Sequence, residues 1–522
     1  MEPEQLQPAK ERPPVELEAG SLKGPGDPRP VFSMECPWPH QLFDGLTEAL
    51  LYFMIVFSPW AFGATQEWSM NVMDACGYAL GALLAAKWSL RLMTDWQPLR
   101  WGMALADEDD PRPSRSAGTF TKILAALTVL VLAYCVVSAV NARAVWLPHA
   151  YRFEYYPCID WLPHSYDLTR TWQAFWHYLA CAMSFWALRD WLLTRTEEEE
   201  SANRDDALKS ARRRGLILPP RLQRLLWVLC LNGAVLALEG VLQRTSGTSK
   251  LLWLVEPGIN KTADAQFGPY AYRSNAAQYF TLVWPVALGF WWVRHQAAQH
   301  ERRARATYHL LLPCTMLMAA CPLISLSRAG AVVGVAGLVI ALLTLAFLPR
   351  ESGWKVKLGV LAFLAVIAAL GWYIGWEELA KRFQKTGMDF EVGRGEMWKL
   401  ALQMIRDYPV LGTGPGTFES LYQMYRGSVD NYWPAQLHND WLEMMITFGA
   451  VGLAMIAAAL LAVLVRCYYR GGIRVHRVFA MFVWLAVGGC LAFGAVDFPF
   501  QIYSIVFLFI VHCAILSSVS RA

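Results

Sequence analysis

The strongest constraint on this chain is its succession of apolar stretches, each of about 18 residues or more and so able to cross a hydrocarbon core of about 30 Å. Inside lipid each backbone N–H and C=O needs a partner within the protein, so such stretches fold as helices. They lie at 46–64, 72–92, 120–141, 172–193, 223–242, 276–293, 308–326, 329–348, 356–374, 437–465, 477–495 and 500–519. The fold class expected is therefore all-α, a polytopic membrane bundle of about 12 transmembrane helices. Composition agrees, because only 17% of residues are charged, against roughly 25% in soluble chains. A net charge of +4 is too small to argue for nucleic acid.

Ahead of the first span, "MEPEQLQPAKERPPVELEAGSLKGPGDPRP" is rich in Pro and Glu. It offers too little apolar surface to offset ordering entropy, so residues 1–44 are expected to be a disordered cytoplasmic tail, with 45–522 forming the bundle. No cleavable signal peptide is expected. Cysteines such as Cys135, Cys230, Cys314 and Cys490 sit inside apolar runs, where cysteine acts as a small hydrophobe. No CxxC pair points to zinc or to a disulfide framework.

Lys and Arg concentrate in one alternating set of loops: 212–214, Arg294 with Arg302, Arg303 and Arg305, 350–357, and Arg466 to Arg477. The positive-inside rule makes that set cytoplasmic. The other set, 65–71, 142–171, 243–275, 326–330, 375–436 and 497–501, then faces outside, with both termini inside. "EEEE" at 197–200 is most simply part of a solvated cytoplasmic loop. No internal repeat is visible, which weakens an inverted-repeat transporter reading.

The longest external segment, 375–436, falls between helices 9 and 10. Trp398, Leu402, Ile405, Tyr408 and Leu411 recur at helical spacing there and predict an amphipathic helix closed by Pro409. "GTGPGTF" follows at 412–418; its amides could cradle a phosphate, although on spacing alone a turn returning the chain to the membrane is simpler. The segment carries seven Lys and Arg against eight Asp and Glu. Anion recognition must then come from particular arginines, not from a basic field. In 142–171, Trp146, Tyr151, Tyr155, Tyr156, Trp161 and Tyr166 could stack on sugars, but an interfacial aromatic belt is favoured.

Four places on the expected outer face put polar groups at helix ends: "YAYRSN" (270–275), "SLSRAG" (325–330), "EVGRGEMW" (391–398) and "LHNDW" (437–441). Arg328 lies in a nearly unbroken apolar stretch, where an arginine either lines a cavity or snorkels to the headgroups. Asp440 with Glu443 looks like a capping pair for the helix that follows. That accounts for two residues of the cluster and leaves His438 and Asn439 without a structural reason.

His438-Asn439, nine residues, Gly449, two residues and Gly452 together resemble the signature of the O-antigen ligase and O-antigen polymerase superfamily of bacterial membrane glycosyltransferases. Further markers follow the same order: Ser327-Arg328-Ala329-Gly330 between two helices, Arg394 before Trp398, and P-x-x-G-x-G-x-G-x-F from Pro409 to Phe418. "FGPYAYRSNAAQYF" (267–280) resembles the family's upstream region, and the likeness spans roughly 225–500. It implies transfer of a glycan from a polyprenyl (undecaprenyl) diphosphate to an acceptor hydroxyl, outside the bacterial cytoplasmic membrane. The external loop would then be periplasmic, and the partners a lipid-linked glycan donor, a glycan or lipid-glycan acceptor and membrane lipids.

Such chemistry needs donors where negative charge develops on the departing diphosphate. Arginine's planar, permanently charged fork suits this, with Arg328 and Arg394 the main catalytic candidates and Arg273 a third, substrate-binding one. His438 would be the general base for the acceptor hydroxyl or would only orient the diphosphate. Asn439 would fix the loop or a sugar hydroxyl, and Gly414 and Gly416 would contact substrate through their backbone. No Asp-x-Asp or His/Cys set with ligand spacing appears on the outer side, so neither metal nor cofactor is expected. Direct displacement predicts inversion at the anomeric carbon. Within the family, ligase, polymerase and protein O-oligosaccharyltransferase remain open; outside it, the alternative is a glycan transporter or flippase.

Overall fold

In the computed structural model the described residues are 36–98, 100–101, 115–195, 215–301, 306–347, 394–427, 434–469 and 472–521, with scattered positions between 358 and 384. Thirteen helices are numbered here in chain order: α1 Trp38–Trp60, α2 Glu67–Thr94, α3 Arg115–Val140, α4 Leu168–Leu193, α5 Pro220–Ser246, α6 Arg273–Glu301, α7 Leu311–Ile324, α8 Arg328–Phe347, α9 Gly395–Asp407, α10 Phe418–Tyr422, α11 Asp440–Arg466, α12 Arg477–Phe493 and α13 Tyr503–Ser518. Every expected span except 356–374 has a helix over it; that one lies largely outside the described residues. Among the described residues five helices, α1, α5, α8, α11 and the 118–140 part of α3, are long and apolar enough to cross a membrane. Apolar helices α7, α12 and α13 are shorter, and the longer α2, α4 and α6 are not among those five.

Of the expected tail, residues 1–35 lie outside the described residues, and α1 already begins at Trp38, with Pro37 at its N-cap. Proline is well placed there, since the first-turn N–H groups have no helical acceptor. The helix starts ahead of the apolar run because its first turns bury His40 and Asp44 against charged side chains of α2 and α5.

At the centre stands α6, buried along its whole length from Ser274 to Val293, with Tyr279, Trp284, Phe290 and Trp292 fully enclosed. It packs against α5, α7, α8, α12 and α13. Small residues permit the approach: a Cβ on Gly330 would come within 2.6 Å of Ala277, and one on Gly489 within 2.6 Å of Thr281. This packing sets Arg273 and Ser274 at one end of the bundle, beside the N-termini of α8 and α11.

A second, smaller core joins Tyr166, Met397, Ala401, Met404, Phe418, Leu421, Leu437 and Ile446. The expected amphipathic helix is α9, and Trp398, Ile405 and Tyr408 of the anticipated stripe pack against this core. Met397, Ala401 and Met404 form the buried face, while Leu402 is 48% exposed. Two β-pairs complete the fold: Ala144–Leu147 (β1) runs antiparallel to Arg152–Tyr155 (β2), and Ile473–Val475 (β3) parallel to Val519–Arg521 (β4). Within 142–171, Tyr151, Tyr155, Tyr156 and Trp161 are exposed, but Tyr166 is core, edge-on to Tyr408.

Helix α11 is interrupted. Gly449 has φ +61° and ψ −173°, a conformation essentially confined to glycine. The backbone groups freed there are taken up by segment 409–414: Thr413 N–H donates to Ile446 O (2.8 Å), Gly414 N–H to Thr447 O (2.9 Å), and Ala450 N–H to Pro409 O (3.0 Å). Tyr134 of α3 donates to Phe448 O at 2.9 Å and also meets Leu411 O. A broken helix is tolerated at membrane depth when its orphaned groups are satisfied in this way.

Candidate functional site

The N-terminal end of α11 is held by a different set of bonds from the expected Asp440 cap. Asn439 is the N-cap residue: its Oδ1 accepts from Leu442 N–H at 3.1 Å and its Nδ2 donates to Ala495 O at 2.9 Å. Asp440 accepts from Phe500 N–H at 2.8 Å and from Gln501, tying α11 to the 497–501 turn. Glu443 reaches back, as expected, but to Leu437 N–H at 2.9 Å. The cap falls on Asn439 because its backbone is extended (φ −161°, ψ 97°), which aims its side chain at the first free amides.

His438 is squeezed into the left-handed region, φ +56°, where a non-glycine residue needs external support. Leu437 supplies it: the side chain is fully buried, its N–H is held by Glu443, and its carbonyl accepts from Trp398 Nε1 at 3.2 Å. The imidazole consequently projects toward the end of α6. Phe498 meets it edge-on at 4.8 Å, and Tyr272 stacks on Phe498 at 5.7 Å.

Two partners meet His438 Nδ1, the Asp497 carboxylate at 3.0 Å and Arg394 Nη2 at 3.3 Å. One nitrogen cannot donate to the first and accept from the second together. The shorter contact to an anion decides it: Nδ1–H donates to Asp497, leaving Nε2 as the basic nitrogen, and Arg394 lies alongside. Arg394 donates instead to Val496 O at 2.9 Å and Tyr272 Oη at 3.3 Å. Burial, and next the Asp497 carboxylate, push the Tyr272 hydroxyl up to about 12, so it remains protonated at neutral pH.

Asp497 is 1% exposed. It also accepts a short hydrogen bond from Ser274 Oγ, which in turn accepts from Ser327 Oγ at 3.2 Å. Residues from α6, the α7–α8 turn, the segment before α9, the start of α11 and the α12–α13 turn therefore form one connected polar site.

Beside it lies a cationic group. Arg273 Nη1 donates to Asp264 O at 2.7 Å and stands 3.6 Å from its carboxylate, which Arg382 also contacts. Arg328 donates weakly to Arg382 O at 3.4 Å. Burial, then the neighbouring charges of Arg382 and Arg328, lower the affinity of Arg273 for its proton. Burial alone would raise the Asp264 carboxyl, but Thr262 and the Arg382 and Arg273 guanidiniums hold it below the usual carboxylate range.

Of the residues anticipated from sequence, Arg394, His438 and Asn439 come together directly. Arg273 and Arg328 adjoin them through Ser274 and Ser327. Gly414 and Gly416 stand elsewhere, with positive φ, against Ser165 and Arg170, and the Gly414 amide is spent on Thr447 O. Asp497, Ser274, Tyr272 and Arg382 were not singled out; a lone Asp in "DFPFQ" carries no local pattern. No group of three or more His, Cys, Asp or Glu suited to a metal occurs among the described residues.

Apolar helices of spanning length, with a connected polar site at one end of the bundle, fit a membrane protein. Residues 313–457 match the family model described as O-Antigen ligase. Arg328, Arg394, the glycine run, His438 and Asn439 lie inside the match, whereas Arg273 and Asp497 lie outside it. No curated protein matches the chain significantly. The family supports activity of the O-antigen ligase type, a glycosyltransferase class, in a bacterial membrane.

Proposed function

We propose that this protein transfers a glycan from a polyprenyl (undecaprenyl) diphosphate donor to an acceptor hydroxyl at the periplasmic face of the bacterial cytoplasmic membrane, without metal and with inversion. The observation that carries this reading is the His438–Asp497 pair, with Arg394 beside the imidazole. With Nδ1–H held by Asp497, Nε2 of His438 takes the proton of the acceptor hydroxyl. The acceptor oxygen attacks the anomeric carbon as the bond to the diphosphate breaks, and the lipid diphosphate departs with the electron pair. Arg394, Arg328 and Arg273 meet the developing charge, which is the largest electrostatic need of the step. Asn439 then acts through helix α11, which it caps. The segment 375–436 is the periplasmic loop of this reading, residues 1–44 its cytoplasmic tail, and both termini are cytoplasmic.

The test is a reconstituted assay with a lipid-linked oligosaccharide and the variants His438→Ala, Arg328→Ala and Arg394→Ala. Each is expected to lose transfer while still binding the membrane and remaining folded. Full activity in all three overturns the mechanism, and movement of donor across the bilayer with its glycan bond intact replaces it with transport.

A further inference from the structure

Tyr272 is fixed by backbone and ring alike. Its carbonyl accepts from Asn275 N–H at 3.0 Å, which sets it at the first turn of α6. Two residues earlier Tyr270, fully buried and hydrogen-bonded to Ser504 Oγ at 3.2 Å, anchors the same segment to α13. The phenol ring lies within 6° of parallel to Phe498 at 5.7 Å and stands 6.2 Å from the His438 ring. A tyrosine held in this way has an apolar body that is packed and a polar tip that is aimed.

That tip is only half used. The phenol oxygen accepts from Arg394 Nη2 at 3.3 Å, and among the described residues its O–H meets no acceptor. Burial, and next the Asp497 carboxylate, keep the proton on the oxygen at neutral pH. Tyr272 therefore has one bond left to give, a single directed donor unlike the fork of a guanidinium. Its position says where that bond can go. Arg394 Nη2 also stands 3.3 Å from His438 Nδ1, so phenol and imidazole flank one guanidinium nitrogen. On the other side the chain runs straight into Arg273, and through Asp264 to Arg382. Tyr272 thus lies between the base and the cations. In a transfer where His438 activates the acceptor and the arginines hold the phosphates, the bond that breaks lies between those same two groups.

We propose that Tyr272 is a further catalytic residue, whose hydroxyl donates a hydrogen bond to the phosphate oxygen that leaves the anomeric carbon. The inference rests on the transfer reading above and adds a group to its leaving side. As the acceptor oxygen bonds to the anomeric carbon, the bond from that carbon to the diphosphate oxygen breaks and its electron pair stays on the oxygen. Tyr272 shares its proton with the new charge and keeps it, so no proton is consumed on this side of the reaction. The guanidiniums are left to the outer phosphate oxygens, for which their forks are shaped.

The test uses the reconstituted full-length protein with a lipid-linked oligosaccharide. Tyr272→Phe keeps the ring on Phe498 and removes only the hydroxyl. Its kcat is expected to fall roughly 10- to 100-fold, with donor KM within about threefold and an unchanged melting temperature. Replacing Tyr272 by 3-fluorotyrosine gives a stronger donor and a weaker acceptor in the same ring, and is expected to hold kcat at or above that of the parent at neutral pH. A Tyr272→Phe kcat within about threefold of the parent overturns the inference, as does a rise in KM with kcat kept. A fluorinated protein as slow as Tyr272→Phe also overturns it, because the hydroxyl then serves only to receive the Arg394 bond. Should Tyr272→Phe not fold, the fluorinated protein decides alone by the same comparison with the parent. His438→Ala separates the two levels. Full transfer by that variant removes the underlying reading, whereas its inactivity beside a fully active Tyr272→Phe removes this inference alone.

Discussion

Replacing Asp497 by Asn separates the role of the carboxylate from that of the fold around it. The two side chains have the same shape, but asparagine offers a neutral oxygen, or an N–H that would reverse the bond and leave the proton on Nε2 of His438. In the parent, Asp497 Oδ1 stands 3.0 Å from Nδ1 and is almost wholly screened from solvent. A hydrogen bond to a charged group contributes about 1.5–3 kcal/mol, which corresponds to a fall in kcat of about 10- to 150-fold. The donor meets the arginines rather than Asp497, so its KM stays within about threefold on the same scale. Ser274→Ala is the comparison: it removes a hydrogen bond to the same carboxylate but leaves the His438 contact in place, so a smaller loss of kcat, about tenfold or less, is expected. The assay is initial-rate transfer from a lipid-linked oligosaccharide at saturating acceptor, with melting temperature recorded for each variant. A kcat for Asp497→Asn within about threefold of the parent, in a protein that melts normally, would show that His438 does not depend on this carboxylate.

Three further outcomes follow from the same geometry. Asn439→Ala removes the cap of α11 and is expected to cost about 0.5–2 kcal/mol of stability by thermal unfolding, with transfer per folded molecule nearly kept; a hundredfold loss of activity at unchanged stability would mean that Asn439 touches the sugar. Gly449→Ala forces a Cβ into a glycine-only conformation and onto Val410 O, so a loss of about 3 kcal/mol or more and a reduced folded yield are expected. Unchanged melting would deny the break in α11 its role. Exhaustive dialysis against a chelator is expected to leave transfer unaffected, whereas a loss restored by added divalent cation would refute metal-independent transfer.

Local patterns in the sequence carried much of this structure. Apolar runs locate helices because lipid and core both demand self-satisfied backbone, and Arg394 and His438 stand out at the ends of elements, whereas Asn439 has a structural reason there as the cap of α11. What local pattern does not encode is pairing at a distance. Asp497 meets His438 from 59 positions away, and Ser274 meets Asp497 across 223. Charge counts placed Arg382 in the external loop without joining it to Asp264. Leu402 departs from the expected stripe of α9, because methionine and alanine at 397, 401 and 404 fill the buried face and the bulkier leucine points outward. The glycine run illustrates the opposite case: Gly412 and Gly414 are required, but by close packing, for a Cβ on Gly412 would stand 2.5 Å from Gly449 N of α11 and one on Gly414 2.7 Å from Ser165.

The interruption of α11 also bears on how the enzyme tolerates its solvent. A spanning helix leans or straightens as acyl chains lengthen or shorten. In an unbroken rod that lean would be delivered to His438, eleven positions up the chain from Gly449. Here the 409–414 segment grips the rod at its pivot, so the rest of α11 can swing while His438 keeps its register with Asp497. Activity should therefore vary little between bilayers of different thickness.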